Sequence, residues 1–395
     1  MTDELKQLLE NNDRAFYVFD SKVLAERIAF LKKSLPEGTA LCYAVKANPF
    51  VTGEIGEEVE RLEICSPGEE EICRSLGIDS RRMVISGVYK TPSVLRRLAA
   101  DESFQGIITI ESVLQYQQLC TDAQGRQHPL RLLLRLTNGS QFGLDEQDLD
   151  QIVQQREQFP FLELAGVQFF SGTQKNSVKK FARELTYLDQ YLLSLRERFG
   201  YQAAELEYGT GFPVSYFVGE ELDETTLLRE FSALLKELKC GSRIILELGR
   251  SMVASCGKYY THIVDIKVNK GQHYALTDGG LHHITYFGQF MAMKQPYLSV
   301  VGKTDVLADK DFTICGALCT MNDILVKQVH LPEIRVGDVL CFERAGAYCM
   351  TEGISLLLSR DLPAIYLRGQ DGALYRLRSP FETYIINQPK YERMF

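Results

Sequence analysis

From about Leu24 to Asp265, short runs rich in aliphatic and β-branched residues alternate with longer stretches whose apolar residues recur every three or four positions. No other feature constrains the fold as tightly. Strands that each return through a helix lie parallel, and a parallel sheet buries both its faces. Seven strands are expected, at residues 40–45, 82–86, 106–109, 130–136, 164–170, 205–208 and 244–247. That is close to the eight of a TIM barrel. Between them, residues 177–199 set Phe181, Leu185, Leu188 and Leu192 on one stripe of a core-facing helix. After Thr261 the helical pattern thins, and HIVDIKVNK, HYALTDGG and GDVLCFE read as short strands separated by Gly and Asp turns. The segment RAFYVFD, residues 14–20, reads as a strand expected to pair with this later β-region. The expectation is therefore an α/β chain, with a (β/α)8 barrel over 24–265 and a second, mostly β domain from 1–23 plus 266–395.

A chain of 395 residues, 45% of them hydrophobic and 24% charged, can fill two cores. The net charge of −8 carries no basic stripe, which argues against a nucleic-acid surface and against anionic membranes. The opening MTDELKQLLENNDRAF is polar and acidic rather than a secretory leader, and no apolar run approaches the ~18 residues of a membrane span. A cytoplasmic protein is expected. Ten cysteines are scattered without close C-x-x-C spacing, so reduced thiols and no metal are expected.

Cys42-Tyr43-Ala44-Val45-Lys46-Ala47-Asn48 ends an apolar β-run on a lysine. Catalytic groups of barrels collect at strand ends, although a lysine there is more often a solvated surface group. A desolvated lysine can lose its proton and attack an aldehyde. Further on, Glu207-Tyr208-Gly209-Thr210-Gly211-Phe212 is a glycine turn able to present bare N–H groups to an anion, Glu247-Leu248-Gly249-Arg250-Ser251 ends another strand on an acid and a base, and Gly346-Ala347-Tyr348 lies in the β-region. Taken singly, each has an ordinary structural reading: a tight turn, a strand-end ion pair, a core tyrosine.

In order and together, these segments resemble the lysine, glycine-loop, E-P-G-R and G-A-Y motifs of the fold-type III pyridoxal phosphate enzymes, the diaminopimelate and ornithine decarboxylase family. The match runs from Phe16 to about Tyr366. The resemblance implies pyridoxal 5'-phosphate on Lys46 as a Schiff base, with its phosphate at Gly209, Thr210, Gly211, Arg250 and Tyr348. Glu247 would face the ring nitrogen. Glu63 and Glu69, in LEICSPGEEE, match acidic positions near the cofactor. Cys315-Gly316-Ala317-Leu318-Cys319-Thr320-Met321-Asn322-Asp323 is similar to the family's G-P-x-C-x-x-x-D loop. By that likeness Cys319 enters the neighbouring subunit's site to assist protonation, implying a homodimer with shared active sites.

Three departures bear on the substrate. Thr210 replaces the middle glycine of the loop. Phe170, in Gly166-Val167-Gln168-Phe169-Phe170-Ser171-Gly172-Thr173, stands where the family's histidine stacks on the ring, so it can stack but not titrate, while Thr173 keeps a hydroxyl near the phosphate. Thr320 replaces the acid that pairs with a distal ammonium, which removes the anchor for a diamine-forming substrate. With Asp278-Gly279-Gly280-Leu281-His282-His283 and Phe287-Gly288-Gln289-Phe290, the chain is similar to the branch holding the decarboxylase of carrier-protein-bound glutamate and the exosortase-associated decarboxylases. His282, His283, Thr320 and Asp323 are candidate substrate residues, although adjacent histidines on a β-segment would face opposite sides.

The activity implied is decarboxylation of an amino acid or of an amino-acid derivative, including one tethered to a carrier protein. Two alternatives stand beside it: an amino-acid racemase, since alanine racemases share this barrel-plus-β plan, and a catalytically silent homologue that binds a partner.

Overall fold

A computed structural model describes residues 3–303 and 310–391. The chain forms two units. One comprises Arg27–Pro213 and Leu222–Met252, and the other gathers the N-terminal segment to Glu26, Val214–Glu221 and the chain from Val253 onward. No helix among the described residues is long and apolar enough to cross a membrane.

Strand β1 (Phe16–Asp20) belongs to the second unit. The next eight build the first: β2 (Ala40–Ala44), β3 (Arg61–Ile64), β4 (Met83–Ile85), β5 (Ile107–Ile110), β6 (Leu130–Leu136), β7 (Leu162–Phe170), β8 (Glu205–Gly209) and β9 (Arg243–Leu248). Each pairs in parallel with the next, and β2 pairs in parallel with β9, from Ala40↔Ile245 to Tyr43↔Leu248, closing the barrel. Ala40, Cys42, Val84, Ile107, Leu133, Ala165 and Ile245 form one fully buried cluster drawn from strands all around the barrel. Side chains alternate along a strand. Period two therefore sends Arg61 with Glu63, Glu205 with Glu207, and Ile245 with Glu247 to one side of their strands. The helix Val178–Phe199 follows β7, buries Phe181, Leu185, Leu188 and Leu192 as its stripe demands, and ends on Gly200 at φ 61°.

The eighth strand, β3, does not show in the sequence pattern. Its RLEI is short and half charged, and those charges are stable only because the closed barrel pairs them. The Arg61 guanidinium donates to both oxygens of Glu205, at 2.7 and 2.6 Å, and Arg131 donates to Glu205 at 3.1 Å.

Among the described residues the second unit is built on a nine-stranded sheet. Beside β1 it contains β10 (Gly257–Asn269), β11 (Gln272–Thr277), β12 (Leu298–Val300), β13 (Asp311–Cys315), β14 (Ile324–His330), β15 (Val339–Phe342), β16 (Ala364–Arg368) and β17 (Leu374–Arg378). The N-terminal strand does join it, antiparallel to β10 and parallel to β16. Its core packs Phe16, Val18, Tyr260, Cys341 and Ala364.

Candidate active site

Strand β2 ends at Ala44, and a turn of 3-10 helix, Val45–Ala47, carries Lys46 at its C-terminal end, the end of a barrel where functional groups gather. The motif closes locally. The Tyr43 hydroxyl donates to the Asn48 carbonyl oxygen at 2.8 Å, and the Asn48 side chain accepts from the Phe50 N–H at 3.0 Å, capping the next turn. Lys46 Nζ donates to Glu63 Oε2 at 2.7 Å, lies 3.9 Å from Glu247 Oε1, and meets Cys65 Sγ at 3.4 Å. The Cys65 thiol lies 3.2 Å from the other Glu63 oxygen and donates to it. The lysine side chain keeps 39% exposure while Glu63 keeps 3% and Glu247 8%, so the lysine is partly exposed and the acids beside it are buried.

Burial by itself would raise the Glu63 carboxyl, but the Lys46 ammonium and its hydrogen bond outweigh burial and pull it down to about 2. Glu247 is pushed well above the carboxylate range, by burial first and then by the negative charge of Glu63. Two neighbouring acids are thus pushed in opposite directions, the arrangement by which a site separates its acid from its charge. Gln168 Nε2 donates to Glu247 Oε2 at 2.9 Å and lies 3.4 Å from Glu207 Oε1. Burial pushes Glu207 up to about 8 despite Arg61, whose guanidinium stops 3.8 Å from Glu207 Oε2. That oxygen has no hydrogen-bond partner among the described residues. The Cys65 thiol is held protonated by burial and by Glu63.

Three loops meet beside these acids, after β7, β8 and β9. A Cβ at Gly209 would come 2.5 Å from the Phe170 ring, and one at Gly211, where φ is +59°, would come 2.0 Å from the Gly172 carbonyl oxygen. Glycine is required at both points. Thr210 is buried, its N–H donating to the Glu247 carbonyl oxygen at 3.4 Å, and Arg250 Nε donates to Thr173 Oγ1 at 3.4 Å. Phe170 ends β7, half-buried, its flank against Gly209. An accessible amine, a buried acid that keeps its proton, and a glycine turn flanked by an arginine and a hydroxyl fit a phosphorylated aldehyde cofactor. Glu69 serves the backbone instead. Its carboxylate accepts from the Cys65 N–H at 2.6 Å, at the start of the helix Pro67–Ser75, which Ser66 caps.

The remaining expected residues belong to the sheet unit. Cys319 is exposed on the turn after β13, and Thr320 is half-buried beside it. Asp323 is buried and anchors this turn, accepting from the N–H groups of Leu281 at 2.8 Å and Leu318 at 2.7 Å. A Cβ on Gly280 or Gly316 would strike that carboxylate, at 2.5 and 2.3 Å. Tyr348 is half-buried at φ 62°. His282 and His283 correct an expectation. They lie on a turn, not a strand, so they do not face opposite sides, and their rings sit 3.9 Å apart. His283 Nε2 donates to the Asp361 carbonyl oxygen at 2.8 Å, which leaves Nδ1 to accept from the Tyr259 hydroxyl at 3.0 Å. Burial lowers His283 to about 4, and burial with the neighbouring His283 lowers His282 to about 3, so both rings are neutral.

Cys65, Gln168 and Glu207 carry no signal that singles them out in the sequence. Period two counted back from Phe170 reaches Gln168, but Cys65 becomes visible only once β2 and β3 are neighbours.

The sequence profile described as "Pyridoxal-dependent decarboxylase, C-terminal sheet domain" matches residues 16–346. The chain is 26% identical, over 87% of its length and 86% of the relative's, to an L-glutamyl-[BtrI acyl-carrier protein] decarboxylase of Niallia circulans. It is 25% identical, over 84% of its length and 88% of the relative's, to a 2-[(L-alanin-3-ylcarbamoyl)methyl]-2-hydroxybutanedioate decarboxylase of Staphylococcus aureus. In fold it matches a diaminopimelate decarboxylase of Helicobacter pylori solved with L-lysine, at a TM-score of 0.83, 21% identity, and 97% and 98% of the two chains.

Proposed function

Because the chain belongs to the pyridoxal-dependent decarboxylase family, we propose that it decarboxylates a glutamyl group carried on an acyl-carrier protein, in a homodimer whose sites are shared. Decarboxylation of an amino acid or amino-acid derivative with pyridoxal phosphate is the family's activity, and it displaces both the racemase and the silent-homologue readings. The observation that carries the site is Lys46, its side chain 39% exposed and its amine 2.7 Å from the buried Glu63 carboxylate and 3.9 Å from the buried Glu247.

When bound, the cofactor supplies an aldehyde for an amine and a ring that accepts the electron pair left as carbon dioxide departs. The chain's own residues do the rest. Glu63 orients Lys46 Nζ and takes up its positive charge, and the Cys65 thiol shares that carboxylate. Glu247, aligned by Gln168, keeps a proton at the buried end of the site where the ring nitrogen needs one. Thr173, Arg250, the Thr210 hydroxyl and the turn's glycines Gly209 and Gly211 would hold the phosphate, with Tyr348 as the motif assigns it; Phe170 would stack on the ring. Cys319 returns a proton to the substrate carbon in the neighbouring subunit's site. Thr320 and the buried His282 would be the substrate residues on this reading, whereas His283 and Asp323 position the turns that carry them.

For the substrate, support comes from Thr320 at the position of the ammonium-binding acid and from the carrier-linked relative. A glutamyl group bound through its carboxyl has no distal ammonium to pair. Mass spectrometry of the glutamyl-loaded carrier after incubation should show loss of one carbon dioxide, with free glutamate, diaminopimelate and ornithine untouched. Turnover of a free diamino acid at comparable kcat/KM would discard the carrier-bound assignment. A cytoplasmic location is where ten scattered thiols would stay reduced.

A further inference from the structure

Beneath the glycine turn lies a buried ion pair that has no part in the chemistry described so far. Lys175 Nζ donates to Glu184 Oε2 at 2.9 Å, to Ser171 Oγ at 3.0 Å and to the Tyr208 hydroxyl at 3.1 Å. Glu184 also accepts from Ser171 Oγ at 2.6 Å and from the Tyr208 hydroxyl at 2.5 Å. The lysine side chain is 1% exposed and its ammonium sits 4.9 Å from the Tyr208 ring centroid and 5.2 Å from that of Phe181. Desolvating a lysine and a glutamate costs several kcal/mol per ion unless every donor and acceptor is met. Here Glu184 receives three donors, which hold it below the usual carboxylate range in spite of burial.

The position of this pair gives it a use. Ser171 and Lys175 bracket the loop after β7 that carries Thr173. Tyr208 directly precedes the glycine turn, and Glu184 lies on the helix between them in sequence. The Lys175 N–H donates to the Gly211 carbonyl oxygen at 2.8 Å, and Gly211 lies so close to Gly172 that no Cβ fits. Two loops are thereby pinned by one buried lysine, through its ammonium and through its backbone N–H. We propose that Lys175, with Glu184, Ser171 and Tyr208, is a positioning residue that sets the spacing of the Thr173 loop and the Gly209–Gly211 turn, and so the affinity of the site for a phosphate monoester. Because Glu184 neutralises the charge, the effect is geometric and not a long-range attraction. This role rests on the cofactor reading given above.

Pyridoxal and pyridoxal phosphate differ only in the phosphate, so the ratio of their affinities isolates the cradle from the rest of the site. In the full-length protein, Lys175→Met should weaken pyridoxal phosphate by roughly tenfold, the loss typical when a residue behind a ligating shell is removed. Binding of pyridoxal, followed by the absorbance of the bound aldehyde, should stay unchanged. Ser171→Ala, at a half-buried position where the ion pair survives, should move the ratio in the same direction by less, and it decides the matter if the lysine variant does not fold. Equal weakening of both ligands, or of neither, overturns the proposal. Arg250→Met and Thr173→Val, measured alongside, separate the two levels of inference. If they shift the ratio and the Lys175 and Ser171 variants do not, only the positioning role falls. If none of the four shifts it, the phosphate assignment falls as well.

Discussion

A carboxylate that stays ionised inside a barrel needs a cation at hand, and Glu63 has one in Lys46. Its depressed pKa, about 2 against an ordinary 4.5, means that the pairing stabilises the fold fully above pH 4.5 and is lost as pH falls toward 2. Lys46→Ala removes the amine that reacts with the cofactor and this pairing together. Decarboxylation and borohydride-trapped cofactor should both disappear, and trapping on another lysine would sink the assignment. In the cofactor-free proteins, the stability difference between wild type and variant should be near zero at pH 2. It should open between pH 2 and 4.5 to something on the order of 1 kcal/mol, once screening of the partly exposed lysine is allowed for. Glu207 runs the other way. Its folded pKa, raised to about 8, makes the wild type progressively less stable as pH climbs from 4.5 through 8. Glu207→Gln, a neutral isostere, should match wild type at about pH 4 and exceed it at about pH 9 by a few kcal/mol in urea unfolding, since a tenfold change in proton affinity is worth about 1.4 kcal/mol. Equal stabilities at the alkaline end would mean that water or a cation reaches the carboxylate.

Among elements, the loops after β7 and β8 carry the strictest backbone demand. Gly211→Ala meets both a positive φ and a carbonyl oxygen 2.0 Å away. It should cost about 1–3 kcal/mol in the cofactor-free protein and weaken pyridoxal phosphate further, with thermal melting and cofactor titration as the two readouts. Full cofactor affinity in this variant would show that the turn moves without consequence. The glycines were visible in the sequence as a motif; the reason for them was not, because Gly172 and Phe170 lie about forty positions away in the chain. The same limit explains β3. Short runs rich in aliphatic residues revealed seven barrel strands, but half of RLEI is charged; it turns Arg61 and Glu63 inward and becomes a strand only when Glu205 and Lys46 are in place. Lys46, Glu247 and Arg250 were legible because the short motifs that hold them, each at the end of a strand, occur together and in the order of a known family. Cys65 and the Lys175 network depend on neighbours that only the closed barrel supplies, and the histidine pair was misread because a Gly-Gly-Leu turn ends its strand early.

At the scale of the molecule, the proposal requires two copies of the chain. Cys319 is exposed on a turn that Asp323 holds rigidly to two backbone N–H groups, and Met321 next to it is 93% exposed. Ordering a turn costs entropy, and a buried aspartate spent on holding an exposed thiol and methionine makes sense if that turn is presented to something. If the thiol serves the neighbouring site, Lys46→Ala and Cys319→Ala each damage a different half of it. In a mixed dimer one site carries both lesions and the other neither. Equal amounts of the two variants, unfolded and refolded together, should then recover about a quarter of wild-type turnover, since half the dimers are mixed and each has one intact site of two. Homodimers of either variant should fall far below that. Recovery absent from the mixture, with mixed dimers verified by mass, would place Cys319 in its own subunit's site or in none.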